Sequence, residues 1–196
     1  CFFCASLLAY GEKGPYGARP AYDDTIQSAS GLAGLMAQQL GAPRYVPTII
    51  ADKTTGLISA VAILAGLSRR DRMGVGVSLE VPMFESMVAF TTVEHLYGAT
   101  FEPPLSGTAY PRLMAVHRRP FATSDGYLSI MPNTDGHWRA FFEAADQPAL
   151  AKDPRFTTQD SRTRNIAELY GIVAKAVARK TKAEWEAICD RSEIPY

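Results

Sequence analysis

The sequence predicts an α/β protein built in two parts, and three observations carry that reading. Strand-like apolar runs at residues 1–10 and 75–81 alternate with helical segments in the first half. A Pro- and Gly-rich stretch with little periodicity follows. Beyond it lie a hairpin signal and then only helical segments. A chain of 196 residues buries about 70% of its unfolded surface, enough for a hydrophobic core.

Residues 1–10 read as a buried strand ending at Gly11, and Gly11, Gly14, Pro15, Gly17 and Pro20 make a long loop. One helix is predicted from Asp23 or Asp24 to about Leu40, with small residues at Ser30, Gly31, Ala33 and Gly34. Gly41, Pro43 and Pro47 end it. The next segment, from Asp52 to about Leu67, is apolar on most faces and reads as a buried helix. Arg69, Arg70 and Arg72 suit the negative end of its dipole, and Gly74 is its stop. After the 75–81 strand, Pro82 opens a helix to about Tyr97, with Phe84, Met87, Val88 and Val93 as core candidates.

Residues 98–120 hold Gly98, Pro103, Pro104, Gly107, Pro111 and Pro120 and read as a linker. The predicted domains are residues 1–100 and 119–196, with 101–118 between them. The turn Ser124-Asp125-Gly126 between apolar runs is a hairpin cue. Helices are predicted at about 134–145, 148–152, 161–179 and 181–191. Asp160 or Ser161 is the expected cap of the third, and Thr181 with Glu184 the capping box of the last.

The composition is 47% apolar and 20% charged, which argues against disorder. Lys+Arg and Asp+Glu number 20 each, so no basic excess points to nucleic acid and no acidic tail is present. The apolar runs are shorter than the roughly 18 residues of a membrane span, so no membrane partner is expected. Cys1, Cys4 and Cys189 form no disulfide framework, and with no signal-peptide pattern a cytoplasmic location is expected. Cys1 and Cys4 read as buried strand cysteines. A chain opening on Cys inside an apolar run reads as a fragment lacking its N-terminal part.

Few residues stand out as chemistry. His95, His117 and His137 have no partners at ligand spacing, so no metal is expected. Gly74-Val75-Gly76 follows a helix and lacks a third glycine, so it reads as a turn. Asp23-Asp24 reads as a solvated helix start, because adjacent helical residues do not face each other. Arg118-Arg119 has the charge to hold a phosphate, although an exposed basic pair in a linker is the commoner arrangement. Asp52 immediately precedes the long apolar segment. By pattern it is an N-cap. The same geometry, a carboxylate beside helix N–H donors, also serves a covalent nucleophile. Spacing does not choose between the two.

Several stretches together resemble the class III coenzyme A transferases, the CaiB/BaiF type that includes formyl-CoA transferase and α-methylacyl-CoA racemase. They are Gly11-Glu-Lys-Gly-Pro-Tyr-Gly-Ala-Arg-Pro-Ala-Tyr-Asp23, Ser30-Gly31, Ala51-Asp-Lys-Thr-Thr-Gly56 and Ala62-Ile-Leu-Ala65. Further on come Glu80-Val-Pro-Met-Phe-Glu85, Glu94-His-Leu-Tyr-Gly98, Trp138-Arg-Ala-Phe-Phe142, Asp153-Pro-Arg-Phe156 and Ile194-Pro195, in order. The resemblance implies part of a Rossmann-type large domain, a small α+β domain, and a homodimer of interlocked subunits. It implies transfer of coenzyme A between an acyl-CoA and a small carboxylic acid, through an aspartyl anhydride and an aspartyl-CoA thioester. Coenzyme A enters as substrate.

Asp52 aligns with the family's catalytic aspartate. Tyr22 stands where the racemase branch has a histidine, and a tyrosine is a poor base near neutral pH, which favours transferase over racemase. Gln27, one turn on, is the second candidate for contact with the substrate. The glycine-rich loop of oxalate-type members is not visible between residues 106 and 120, which argues against oxalate or formate as the acyl group. The alternatives are an acyl-CoA racemase or epimerase, or an inactive truncated fragment of such an enzyme.

Overall fold

The computed structural model describes residues 2–196, so the reading of Cys1 lies outside the described residues. The chain divides between Tyr110 and Pro111 into two compact units. The first contains a two-stranded parallel sheet, β1 (Phe3–Leu8) beside β2 (Val77–Pro82), in register from Phe3 opposite Val77 to Leu8 opposite Pro82. A parallel pair needs a crossover, and here it carries α1 (Asp23–Ala29), α2 (Leu32–Leu40) and the 24-residue α3 (Ile50–Met73). Helix α4 (Met83–His95) starts directly after β2, with Pro82 as its N-cap residue.

The single helix expected over 23–40 is two. Gly31 takes φ +87°, the left-handed region that costs glycine least, and the chain turns there between α1 and α2. Helix α3 ends as its sequence asks, at Gly74 with φ +66° and its N–H donating to Arg70 O. It lies on the sheet through Gly66, where a Cβ would come within 2.8 Å of the Phe3 ring and 3.0 Å of Leu79.

The expected burial of α3 is only half met. Its Ala51, Thr55, Ser59 and Gly66 are buried, whereas Leu57, Val61 and Leu64 are 73%, 69% and 67% exposed. On α4 Met87 is buried, Phe84 and Val88 are half-buried, and Val93 is 82% exposed. On β1 Leu7 and Cys4 are exposed. The reason is geometric: two strands and α4 cover one side of α3, and an all-round apolar helix has a second side. The expectation that no segment suits a membrane also needs correction. Helix α3 is long and apolar enough to cross one, because its few polar positions interrupt runs without lowering the average. It is docked on the β1–β2 sheet and on α4, as a helix of a folded domain is.

The second unit, Pro111–Tyr196, opens with the short α5 (Pro111–Met114). The predicted hairpin follows, β3 (Phe121–Ala122) against β4 (Tyr127–Leu128). Then come α6 (Asp135–Ala144), a 3-10 turn at Pro148–Lys152, α7 (Gln159–Arg164), α8 (Ile166–Val177) and α9 (Lys182–Ser192). The helix expected over 161–179 is broken at Asn165, and its start is capped by Thr158, with Ser161 as the reciprocal partner instead of the cap. Thr181 and Glu184 form the predicted box, and Thr134 with His137 forms another.

The core of this unit is aromatic. Phe141 stacks on Trp185 at 5.3 Å and 16°, and Trp138, Phe142 and Phe156 join them. The Trp185 indole N–H donates to Val177 O at 3.1 Å, so its one polar atom is satisfied inside. Buried Arg162 donates to Phe156 O at 2.9 Å and to Asp135 Oδ1 at 2.5 Å. The hairpin turn is tied to α9, since Asp125 Oδ1 accepts the Lys182 N–H at 2.8 Å and the Thr123 hydroxyl at 2.9 Å.

Candidate active site

The carboxyl ends of β1 and β2, the start of α1 and the N-terminus of α3 meet at one end of the first unit. In open parallel sheets ligands bind outside the carboxyl ends of the strands. Tyr10, Ile26, Ala51 and Met87 form the buried cluster beneath this end, with Ile50, Met83 and Phe84 packed against it. The cluster fixes α1 and α3 relative to the strand ends.

The centre of the arrangement is Asp23, not the Asp52 cap that the pattern favoured. Asp23 is 6% exposed, against the solvated helix start expected for it. Its Oδ1 accepts the Ala51 N–H at 2.7 Å and the Asp52 N–H at 3.1 Å. Its Oδ2 accepts from Gln27 Nε2 at 2.6 Å. A carboxylate from α1 therefore satisfies two of the N–H groups that the first turn of α3 leaves without helical partners. Helix α3 has no side-chain cap of its own at Ile49, and Asp52 is the third residue of the helix. The Asp52 carboxylate is thus free of the capping duty, on an exposed residue at the positive end of a 24-residue helix.

Gln27 is fully buried, and both ends of its amide are engaged. Nε2 donates to Asp23 and, at 3.4 Å, to Thr48 O, while Oε1 accepts the Val46 N–H at 2.9 Å. The chain between residues 46 and 48, which leads into α3, is pinned to α1 in this way. Lys53 Nζ donates to Thr48 Oγ1 at 2.7 Å. Tyr22 is the N-cap residue of α1 and is 85% exposed, so it is not the packed aromatic that its position also allowed.

The glycine-rich loop before α1 is held by two carboxylates. Glu85 Oε1 accepts the Gly11 N–H at 3.1 Å and Glu80 Oε1 accepts the Glu12 N–H at 2.7 Å. A Cβ at Gly17 would sit 2.6 Å from Glu12 O, so the loop closes on itself only with glycine there. Tyr16 packs against Tyr10 with ring centroids 5.5 Å apart and planes tilted by 58°, and the Arg19 guanidinium lies 4.5 Å over the Tyr16 ring.

Asp23, Glu80 and Glu85 are the residues that pattern reading missed. A signal for the first was present: Asp23 and Gln27 are four apart, so they share one helix face and can bond each other. Among the described residues no group of three or more His, Cys, Asp or Glu stands together as metal ligands. His95 and His137 accept backbone N–H groups of Tyr110 and Asn133, at 3.3 Å in each case.

Comparison with known proteins places this chain. A probable fatty acyl-CoA transferase of Mycobacterium tuberculosis, Rv3272, is 32% identical over 194 residues, covering 92% of this chain and 48% of the relative. The succinyl-CoA:glutarate CoA-transferase of mouse is 31% identical over 97% of this chain and 44% of the relative. The crystal structure of Rv3272 superposes with a TM-score of 0.77 over 97% of this chain and 51% of that one, at 29% identity. The chain therefore spans about half the length of the curated relatives it matches. The sequence model for CoA-transferase family III matches residues 3–196, and the chain belongs to that family.

Proposed function

We propose that this chain carries the aspartate centre of an acyl-CoA:carboxylate CoA-transferase, with Asp52 as covalent nucleophile. The observation that carries the reading is the transfer of the capping duty to Asp23. It leaves the Asp52 carboxylate exposed at a helix N-terminus, held in place from behind by a fixed network. Orientation of this kind lowers the barrier to attack because the geometry is set before the substrate arrives.

A carboxylate oxygen of Asp52 attacks the thioester carbonyl of the donor. The C–S bond breaks, and coenzyme A leaves as thiolate from a mixed anhydride. The thiolate attacks the aspartyl carbonyl, expels the donor acid as carboxylate, and leaves an aspartyl-CoA thioester. The acceptor carboxylate attacks that thioester carbonyl and releases the thiolate once more. The thiolate then attacks the acceptor's acyl carbon, forms the product thioester and regenerates Asp52. Each step exchanges one acyl bond for another of similar energy, so no other energy source is needed.

In this reading Tyr22 faces the substrate from the start of α1. Gln27 acts at one remove, by holding Asp23 and the 46–48 segment. The relatives' names supply the substrate class: acyl-CoA donors with acids such as succinate and glutarate. The Rossmann-type large domain and the interlocked homodimer are part of the same proposal.

The test is intact-mass spectrometry after incubation with acetyl-, succinyl- and fatty acyl-CoA, followed by hydroxylamine. The expected result is a coenzyme A adduct that hydroxylamine converts to a hydroxamate at Asp52, absent from Asp52→Ala. Binding of the donors without any adduct would remove Asp52 as nucleophile. Exchange of the donor's α-proton in deuterated water would then establish the racemase reading.

A further inference from the structure

The second unit holds a cavity of about 420 Å³, within the size range of small-molecule sites. Its walls come entirely from residues 118–196. Phe121, Ile130 and Tyr170, all buried, supply the apolar wall, and Tyr196 stands at the exposed side. The cavity is also lined by Arg118 and Arg119, the adjacent basic pair of the predicted linker. Both are exposed, and their backbone N–H groups donate to Ala115 O and His117 O respectively. The aromatic hydroxyls point their bonds elsewhere. The Tyr196 hydroxyl donates to Asp190 Oδ1 at 2.9 Å, and the Tyr170 hydroxyl accepts from Arg112 Nε at 3.2 Å. An apolar hollow whose lining includes two adjacent arginines complements a molecule with an apolar body and an oxyanion head.

We propose that this cavity binds an amphipathic carboxylate, an aryl or branched-alkyl acid. Its body lies against Phe121, Ile130 and Tyr170, and its carboxylate pairs with Arg118 and Arg119. The planar fork of a guanidinium matches a carboxylate in two parallel hydrogen bonds, and a pair of such forks around one head gives selectivity for the anion over its neutral analogue. The cavity is built from residues of the second unit alone, so it is testable without reference to Asp52.

The test uses the 196-residue chain and 3-phenylpropionate as probe, read by isothermal titration and by chemical-shift mapping of amides at residues 118–131 and 194–196. The acid is expected to bind at least about tenfold more tightly than 3-phenylpropionamide, which has the same shape without the charge. Arg118→Gln/Arg119→Gln should lose about tenfold or more, and Ser129→Glu, which puts a negative charge on the lining, should abolish binding. All three are exposed positions, so the variants should retain the wild-type circular dichroism. The proposal is overturned if acid and amide bind alike, if the arginine variant binds as wild type, or if no shifts appear at 10-fold excess over about 1 mM. It is also overturned if inorganic phosphate competes as strongly as the acid, since the apolar wall would then contribute nothing.

Discussion

Replacing Asp23 by Asn tests the network that frees Asp52. The substitution keeps the shape and one acceptor oxygen but removes the charge and turns the second oxygen into a donor. If the remaining oxygen stays on the α3 amides, the new amide nitrogen faces Gln27 Nε2, donor against donor, where 2.6 Å now separates donor and acceptor. Gln27 cannot resolve this by flipping. Its Oε1 accepts the Val46 N–H at 2.9 Å, so a flip moves the mismatch to Val46. One buried donor is left unsatisfied in either arrangement, a cost of about 1–3 kcal/mol. The lost charge at the positive end of α3 adds about 0.3–1 kcal/mol, and more when the group is buried as Asp23 is. We expect a total of about 2–4 kcal/mol. Hydrogen exchange locates it: the Ala51 and Asp52 amides should exchange about 30-fold faster or more, since each 1.4 kcal/mol is tenfold. Asp24→Asn, one residue on and exposed, should stay within about 0.5 kcal/mol of wild type. A loss below about 0.5 kcal/mol for Asp23→Asn, with unchanged exchange at residues 51 and 52, would refute the capping role.

Three further outcomes follow from the geometry. Gly66→Leu should cost about 1–3 kcal/mol in urea denaturation, because Phe3 and Leu79 already occupy the space, whereas Gly56→Ala, with nothing within 4 Å, should gain about 0.5–1 kcal/mol from helix propensity. The Lys182 N–H, and then the Thr123 hydroxyl, lower the Asp125 pKa from its ordinary 3.8. The carboxylate's contribution is present above 3.8 and is lost as pH falls through the lowered value, so Asp125→Asn should flatten the acid limb of the second unit's stability below about pH 4. Burial, helped by the negative charges of Asp190 and Glu186, pushes the Cys189 thiol up to about 11. Cys189→Ser should therefore leave the rate of native thiol labelling at pH 8 unchanged, and an altered rate would contradict its burial.

How far the sequence reached differs between the two units. In the second, most of the structure is local: Asp125-Gly126 makes the hairpin, and the Thr181–Glu184 box starts α9 where four residues say it should. Capping and turn chemistry act over three or four residues, so a linear reading finds them. The misses there, Asn165 breaking a helix and Thr158 capping α7, are choices among neighbouring polar residues of nearly equal merit. In the first unit the strands, the long helix and its Gly74 stop were legible for the same reason, but Gly31 as a break was not, since a glycine inside a helical pattern is tolerated as often as not.

The site divides along the same line. Asp52 was visible in the sequence because its type, its place before an apolar segment and the stretches around it point to one family, and membership of CoA-transferase family III follows from residues 3–196 alone. What the sequence did not decide was whether Asp52 caps its own helix. That depended on a carboxylate 29 residues earlier, brought to the Ala51 and Asp52 amides by the packing of Ile26, Ala51 and Met87 beneath them. Gln27 changes role for the same reason, from a candidate for substrate contact to a buried brace with partners 19 and 21 residues away. The tertiary structure also decided which faces of α3 are covered, because periodicity records that a face is apolar and only packing supplies the partner that covers it.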